Sequence, residues 1–495
     1  MLFTTAPFLL LFLPVTLTGF FMLGRWAPRH AASWLCCASL FFYAYWMPTF
    51  VALLLASVGI NFAIGQQIAR QLKSGSKQHA KRWLVLGVTL NLAALGYYKY
   101  ANFMVDNLNA VMGVDWHLGK VILPIGISFY SFTQIAFLVD AFEGKVNETK
   151  PVHYGLFVTY FPHLIAGPVL HHAQMMPQFA DPAIYRPRAD HLVAGLAILA
   201  LGLFKKVVLA DGIAPYADAV FSAADTGTVP TAGEAWLGAV AYALQLYFDF
   251  SGYSDMAIGL SWLFNIRLPF NFESPYRARN ITDFWRCWHM SLSNFLRDYL
   301  YIPLGGNRRG PVRRYVNLGL TMVLGGLWHG ASWSFAVWGA LHGAYLMLNH
   351  GYRAALGRAR WARLDASLAY RSASWMLTLL AVVVAWVFFR AETLPGALTI
   401  LLAMANHHAT PAELPAVLWN AGLPAARGWL WCAVLGTVAL FGVNSNRIGV
   451  FLLGRLAPET LLRPLLAGVS LCAVGLLLLI NLARDSVSAF IYFNF

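Results

Sequence analysis

Two histidines lie in sequence that is otherwise apolar enough for a lipid bilayer. His289 stands within FWRCWHMSLSNFL (284–296), and His329 stands within TMVLGGLWHGASW (321–333). A titratable side chain at membrane depth is costly, so such residues usually face a cavity and carry a function. An unperturbed imidazole titrates near pH 6.5 and can accept a proton at neutral pH. The chemistry that these residue types favour is general-base catalysis, although a lone buried histidine can also serve only to hydrogen-bond a neighbouring carbonyl.

Small residues and tryptophans surround His329. The apolar pattern predicts one helix from near Asn317 to about Asn349, with glycine, alanine and serine crowded beside the histidine. Small residues allow another helix or a narrow substrate to approach the backbone closely. We therefore expect a tight passage with an imidazole in its wall. The residues predicted to line this passage are Trp328, Gly330, Ser332 and Trp333.

A third histidine, His342, lies further along the same predicted helix. At 100° per residue, the thirteen residues that separate it from His329 turn a continuous helix by about 220°. His342 should then face away from His329. The pattern favours a packing or interface residue rather than a catalytic one.

The composition places the whole chain in a membrane. Of 495 residues, 59% are hydrophobic and only 11% are charged, which excludes an ordinary soluble domain. We predict an all-α, polytopic protein with about ten to twelve crossings, forming one membrane-embedded domain (1–495) with its catalytic core at about 240–350. The net charge of +14 belongs to loops beside anionic lipid, not to a nucleic-acid site.

Charged loops give the expected sidedness. The basic loop 71–82 should lie in the cytoplasm, and the proline-rich stretch 407–428 is predicted to be a periplasmic loop. Between residues 267 and 314 there are nine arginines and three acids. This excess is typical of a cytoplasmic loop, and equally of an entrance for an anionic donor, because arginine binds phosphate bidentately. The predicted donor-binding residues are Arg277, Arg279, Arg308 and Arg309.

Other polar residues favour structural roles. The five cysteines have neither metal-ligand nor disulfide spacing, and Cys287 is interpreted as an inert thiol. Lys205 and Lys206 are interpreted as anchors that extend to the membrane interface, and Arg297–Asp298 as a structural pair. Asp249 and Asp255 could hydrogen-bond tyrosines or substrate and are not assigned to catalysis. No serine-hydrolase, phosphate-loop or zinc-protease motif is present, so the chain carries a base without a nucleophile of its own.

Several longer segments resemble one known family. They are YFDFSGYSDMAIG (247–259), FNFESPYRARNITDFWRCWHMSLSNFLRDYLYIPLGG (270–306), GLWHGASW (326–333), LPIGISFYSFTQIAFLVDAFEGK (123–145), FPHLIAGPVL (161–170), GLFKKVVLAD (202–211), WVFFRAETL (386–394) and FIYFNF (490–495). Together they resemble the membrane-bound O-acyltransferase family, and within it the bacterial branch that acetylates alginate or transfers D-alanine to teichoic acids. The resemblance runs along nearly the whole chain and in order, which makes it far more specific than any single motif.

The resemblance implies a helical fold with a central funnel or tunnel, His329 as the catalytic histidine and His289 as the second active-site position. It implies transfer of an acetyl group from acetyl-CoA in the cytoplasm, across the bacterial inner membrane, toward an extracytoplasmic polysaccharide. A periplasmic acetyltransferase partner would complete the transfer. No permanently bound cofactor and no metal are expected. Three alternatives remain open. The chain could transfer another acyl group, such as D-alanine from a carrier protein; it could acetylate peptidoglycan; or it could be a transporter without an acyl donor.

Overall fold

All regular secondary structure in the described residues is helical. The computed structural model describes residues 1–119, 121–146, 150–407, 417–455, 462–484 and 488–494. The C-terminal residue of the FIYFNF segment and residues 408–416 of the predicted periplasmic loop lie outside this part. The remainder of that loop includes two helices, Val417–Asn420 and the start of Ala425–Phe441. The predicted all-α class is confirmed.

The chain forms two compact units. The first comprises residues 1–204, 252–270 and 445–494, and the second comprises residues 205–251 and 271–444, with Phe495 outside the described part. One of the points at which the chain passes from one unit to the other, between residues 251 and 252, falls inside the helix Ala232–Leu263.

Helices in the first unit pack closely where glycines face each other. A methyl group added at Gly195 would lie 2.8 Å from the backbone oxygen of Gly259, and one at Gly202 would lie 2.6 Å from that of Gly252. Backbones come this close only without side chains between them, as is common in membrane helix pairs. The α-helices of this unit, besides the end of Ala232–Leu263, are Leu13–Trp26, Pro28–Trp46, Val51–Lys73, Lys77–Leu95, Ala101–Met112, Ile127–Phe142, Pro151–Thr159, Phe161–Leu164, His172–Ala180, Ala189–Phe204, Ser445–Arg455 and Leu462–Leu482.

The second unit contains both candidate histidines. Its central helices are Pro311–His329 and Trp333–Ala366. They cross closely because Gly326 and Gly339 lack side chains. A methyl group added at Gly326 would lie 2.3 Å from the backbone oxygen of Phe335, and one added at Gly339 would lie 2.4 Å from that of Met322. The other α-helices of this unit are Asp211–Asp225, the first part of Ala232–Leu263, Ile281–Cys287, Met290–Leu296, Leu368–Arg390, Leu394–Met404, Val417–Asn420 and Ala425–Phe441.

Within the described residues, five helices are long and apolar enough to cross a membrane. Counting one bent pair as a single span gives six, which is fewer than the ten to twelve crossings predicted. The difference arises because several apolar runs form shorter or broken helices. The run 153–170, for example, divides into Pro151–Thr159 and Phe161–Leu164. The candidate spans are Pro7–Trp26, Pro48–Lys73, Ala189–Asp225, Leu368–Arg390, Leu462–Leu482 and the bent pair Ala425–Phe441 with Ser445–Gly454.

Candidate active site

His329 is the last residue of its helix. The prediction of one continuous helix from Asn317 to Asn349 is wrong, because the chain becomes extended at Gly330 (φ −164°, ψ 152°) and a new helix begins at Trp333. Ser332 caps this second helix: its hydroxyl oxygen accepts the backbone N–H of Phe335 at 3.4 Å. A serine cap satisfies one of the amide groups that a helix start leaves unpaired. The break places His329 at a helix end, where its side chain projects into a cluster of aromatic rings.

The imidazole of His329 is buried among aromatic rings, with 3% of the residue exposed. Its ring centroid lies 5.0 Å from that of Trp328 and 5.1 Å from those of Trp338 and Phe389. Phe389 comes from the candidate span Leu368–Arg390. Rings packed on several sides hold the imidazole in one orientation and limit the approach of water, as a positioned base requires.

His289 occupies a strained backbone position between two short helices. Its φ of 42° and ψ of 54° are left-handed, a region that costs a non-glycine residue about 1–3 kcal/mol. The conformation is held by Asn271, whose carbonyl accepts the backbone N–H of Met290 at 3.0 Å. The side-chain oxygen of Asn271 also accepts the hydroxyl of Ser291 at 2.6 Å. Strain retained in this way is concentrated at functional sites.

The surroundings of His289 favour a neutral imidazole. The residue is completely buried, and the ring centroid of Phe250 lies 4.7 Å away, edge to face. His289 lies outside the candidate spans, and burial lowers its pKa to about 3 because the charged form loses its hydration. A neutral imidazole donates from one nitrogen and accepts at the other. His289 can therefore orient a neighbour or donate to a carbonyl oxygen.

One tryptophan connects the two histidines. The ring centroid of Trp328 lies 6.4 Å from that of His289 and 5.0 Å from that of His329. Trp328 itself is 3% exposed. The fold thus brings the two predicted catalytic residues, forty positions apart in sequence, to the same indole.

His342 belongs to the same aromatic cluster. The expectation that it faces away from His329 is wrong, because it assumed a continuous helix. The ring of Trp338 contacts both histidines, with centroids 4.8 Å from His342 and 5.1 Å from His329. The indole N–H of Trp285 donates to Nδ1 of His342 at 3.2 Å, which leaves the proton of a neutral ring on Nε2. That nitrogen is buried and has no hydrogen-bond partner among the described residues.

The residues predicted to line a passage are not equivalent in the structure. Trp328 is in the cluster, and Ser332 acts as the helix cap. Gly330 is covered by Phe335, since a methyl group added at Gly330 would lie 2.1 Å from that ring. Trp333 is 56% exposed, and Trp338 is the tryptophan of this helix that lies against His329.

Sequence reasoning missed the rings contributed by distant parts of the chain. Trp285 hydrogen-bonds His342, Trp386 stacks near Trp338 with centroids 5.8 Å apart, and Phe389 contacts His329. Phe389 and Trp386 belong to the segment WVFFRAETL (386–394). This segment contributed to the family resemblance, but its sequence does not indicate that it lies beside the histidines. Only the three-dimensional packing shows that these rings surround the histidines.

The four predicted donor-binding arginines are all exposed. Arg277 donates to the carbonyl of Gly442, and Arg279 lies 3.8 Å from the carboxylate of Asp365. Arg308 and Arg309 belong to the turn that precedes the helix Pro311–His329. The first two arginines thus have protein partners at their side chains, and the other two lie in an exposed loop.

Lys206 does not extend to the membrane interface, so that interpretation is wrong. It is 2% exposed, and its Nζ lies 2.8 Å from Asp211 and 2.6 Å from Asp249. A π-helix over Lys205–Ala210 explains the first contact, since residues five apart come onto the same face of that wider helix. Asp249 is therefore part of a buried ion cluster rather than a substrate ligand.

The other polar residues have structural partners. Asp255 accepts the hydroxyl of Ser445 at 2.9 Å within the first unit. Arg297 pairs with Asp298 through two hydrogen bonds of 2.7 and 3.0 Å, as the structural interpretation predicted. Burial raises the pKa of the Cys287 thiol, which disfavours the reactive thiolate.

The fold and the site define a multi-pass membrane protein with two buried histidines at one aromatic centre. The family model of the membrane-bound O-acyltransferases matches residues 145–370, which include both His289 and His329. The chain belongs to this family: relatives more than 40% identical to it cover about four fifths of its length. It is therefore a membrane O-acyltransferase.

Its relatives carry different substrate names. A Helicobacter pylori protein named peptidoglycan O-acetyltransferase is 41% identical over 431 residues, covering 82% of this chain and 80% of the relative. An Azotobacter vinelandii protein named probable alginate O-acetylase is 46% identical over 412 residues, covering 82% and 78%. A Bacillus subtilis teichoic acid D-alanyltransferase is 28% identical over 240 residues, covering 46% and 59%.

Proposed function

We propose that this chain transfers an acetyl group from acetyl-CoA in the cytoplasm, through the bacterial inner membrane, to a hydroxyl of an extracytoplasmic polysaccharide or of a periplasmic partner that acetylates it. The observation that carries the proposal is the placement of His289 and His329 against the same buried indole, Trp328. The support for acetyl over other groups is the similarity to relatives named as O-acetylases along most of the chain.

In the proposed reaction, His329 acts as general base. Its ring nitrogen takes the proton of the acceptor hydroxyl while the hydroxyl oxygen forms a bond to the thioester carbonyl carbon. The carbonyl electrons move to oxygen, and when they return the carbon–sulfur bond breaks. The thiolate of coenzyme A leaves and takes the proton from the imidazolium. General-base catalysis of this kind contributes about 10²–10⁴-fold.

His289 stabilises this reaction without changing charge. As a neutral ring it donates an N–H to the thioester carbonyl oxygen, where negative charge develops, or holds the reacting groups in orientation. The remaining rate enhancement comes from holding the thioester and the hydroxyl in line between the rings that surround His329.

The route across the membrane follows from charge. Coenzyme A carries several phosphates that cannot enter hydrocarbon, whereas the acetyl group is neutral. If the thioester is bound from one side of the membrane and the hydroxyl from the other, only the acetyl group has to cross. Arg277, Arg308 and Arg309 would attract the phosphates on the cytoplasmic side.

A second acceptor has specific support. The relative from Helicobacter pylori, named peptidoglycan O-acetyltransferase, covers as much of this chain as the alginate-related proteins do. Peptidoglycan is therefore the alternative to an exopolysaccharide. Both acceptors present a sugar hydroxyl outside the membrane, so the chemistry at His329 is the same.

The test is acetyl analysis of each surface polymer in a deletion strain complemented with wild-type protein, His329→Ala or His289→Ala. Wild-type protein should restore acetate on one polymer, His329→Ala should restore none, and His289→Ala should restore a small fraction. Membrane levels of the three proteins, measured by immunoblot, provide the control. Near-normal acetylation by His329→Ala at equal protein level would show that this histidine is not the base.

A further inference from the structure

A pocket of about 600 Å³ lies in the second unit, lined by residues other than the two catalytic candidates. Its walls come from three segments: the turn at Arg279–Ile281, the helix Trp333–Ala366, and the first half of the candidate span Leu368–Arg390. The helix contributes residues from both sides of a kink at Gly357, whose φ of 69° and ψ of 163° are not helical. Asn349 joins this helix to the start of Ile281–Cys287, directly after the turn, by donating to the Thr282 hydroxyl at 2.7 Å. The pocket is therefore a built feature of the unit.

The charged residues of the pocket lining have a net positive charge. Its lining includes two arginines, Arg279 and Arg353, and one acid, Asp365. Arg279 lies 3.8 Å from Asp365, and the guanidinium of Arg353 lies over the ring of Trp361, 5.0 Å from the centroid. One carboxylate for two guanidinium groups leaves a net positive charge. Guanidinium groups held in this way bind phosphate with two hydrogen bonds each.

Other lining residues are apolar and exposed. Leu348 is 70% exposed and Leu377 is 67% exposed, although both line the pocket. Leu377 is in a candidate span, where an exposed leucine is in contact with lipid chains. The pocket thus combines two arginines with apolar residues that continue into the lipid-facing surface. A water-soluble nucleotide does not require such a wall, whereas a hydrocarbon chain does.

We propose that this pocket binds a membrane phospholipid with an anionic headgroup. The phosphate lies between Arg279 and Arg353, and an acyl chain follows Leu348 and Leu377. Two charged contacts near a membrane surface stabilise an anionic lipid by roughly 1 kcal/mol each. This assigns Arg279 a lipid ligand in place of the acyl donor, and it does not depend on which polymer the enzyme acetylates.

The experiment uses the full-length protein in lipid nanodiscs. The probe is phosphatidylglycerol with a photoreactive diazirine in one chain, and the same diazirine in phosphatidylcholine, a zwitterion with no net charge, serves as the comparison. After irradiation, peptide mapping locates the cross-links. We expect phosphatidylglycerol to label peptides around residues 345–381, and phosphatidylcholine to label them several-fold less. Equal labelling by the two lipids would overturn the role of the headgroup.

Two variants test the charged residues of the pocket and its open volume, respectively. Arg279→Gln/Arg353→Gln should reduce this labelling by about thirtyfold, which corresponds to the loss of both charged contacts. The matched control is Arg308→Gln/Arg309→Gln, which removes the same charge from an exposed loop outside the lining and should leave labelling unchanged. Ala381→Phe keeps the arginines but fills the pocket, and should also reduce labelling. Monodisperse elution and an unchanged thermal midpoint establish that each variant is folded.

Competition distinguishes the lipid from the acyl donor. Acetyl-CoA added before irradiation should leave the labelling unchanged. If acetyl-CoA prevents labelling of the wild-type protein but not the residual labelling of Arg279→Gln/Arg353→Gln, the pocket is a donor site and the lipid assignment is wrong. Equal loss in the two arginine double variants would equally overturn it, because the effect would then come from charge in general.

Discussion

At the residue scale, the aromatic rings around His329 determine what its imidazole can do. Trp328, Trp338 and Phe389 leave it little freedom, with ring centroids 5.0–5.1 Å away. In its proposed role as general base, an imidazole fixed in this way loses little entropy when the acceptor hydroxyl arrives. His289 contributes in another manner, since its left-handed backbone holds the ring at a fixed place beside Phe250. The two histidines are thus positioned by different physical means.

His342 gives a residue-scale prediction that reverses the expectation from sequence. His342→Ala should lower kcat for acetyl transfer by about tenfold, because deleting a buried ring loosens Trp338, which packs against His329. Trp285→Phe should have a smaller effect in the same direction, since it removes only the N–H that fixes the tautomer. The measurement is transfer from radiolabelled acetyl-CoA by purified protein.

The control for this prediction is His350→Ala. It lies on the same helix, eight residues further along, and has no ring contact with Trp338 among the described residues. Its kcat should stay within twofold of the wild-type value. If His342→Ala and His350→Ala behave alike, His342 has no influence on the site.

At the element scale, the break between Pro311–His329 and Trp333–Ala366 forms the site. Gly330→Ala should lower kcat at least tenfold, because the new methyl would lie 2.1 Å from the ring of Phe335 and must displace it. That ring packs against Phe389, whose own ring contacts His329. The double variant Gly330→Ala/Phe335→Leu should recover part of the activity, since a leucine is smaller and more flexible.

A matched glycine on the next helix tests whether the effect is specific. Gly351 has nothing within 4 Å of an added methyl group and does not adopt a left-handed backbone. Gly351→Ala should therefore keep full activity and raise stability slightly, by about 0.4–1 kcal/mol. Similar losses in Gly330→Ala and Gly351→Ala would show that the clash with Phe335 is not the cause.

The sequence predicts the elements better than their arrangement. The all-α class follows from composition, and both histidines could be selected because ionisable groups are rare in apolar sequence. The break after His329 was missed, although Gly330 and Ser332 are typical of a helix end and a helix cap. Trp285 and Trp386 could not be assigned to the site, since nothing local indicates which distant rings meet. Lys206 was misplaced because a π-helix has no recognisable sequence pattern.

At the scale of the whole molecule, the proposed reaction requires a charged donor on one side of a membrane and an acceptor on the other. In a variant without native cysteines, a cysteine at Asn307 should react with an impermeant maleimide only from the cytoplasmic side. The reason is the excess of arginine around it, which retains such loops in the cytoplasm. Intact spheroplasts compared with inside-out vesicles provide the measurement.

The control for sidedness is a cysteine at Asn420, which is exposed and belongs to the predicted periplasmic stretch 407–428. It should show the opposite pattern, with labelling in spheroplasts and none in inside-out vesicles. Labelling of position 307 from the periplasm would place the arginines on the acceptor side, and the proposed donor entry would have to be abandoned.

The buried cluster around Lys206 has a consequence for how the chain is made. Lys206 and Asp211 belong to one candidate span, Ala189–Asp225, and an isolated charge in such a helix costs about 2.5–3.5 kcal/mol during insertion. The π-helical turn lets these two neutralise each other before any later part of the chain exists. Asp249 is synthesised later, in the helix Ala232–Leu263, and contacts a lysine that is already in the membrane. The order of synthesis thus neutralises Lys206 and Asp211 first, and Asp249 then shares the lysine of a pair that has already formed.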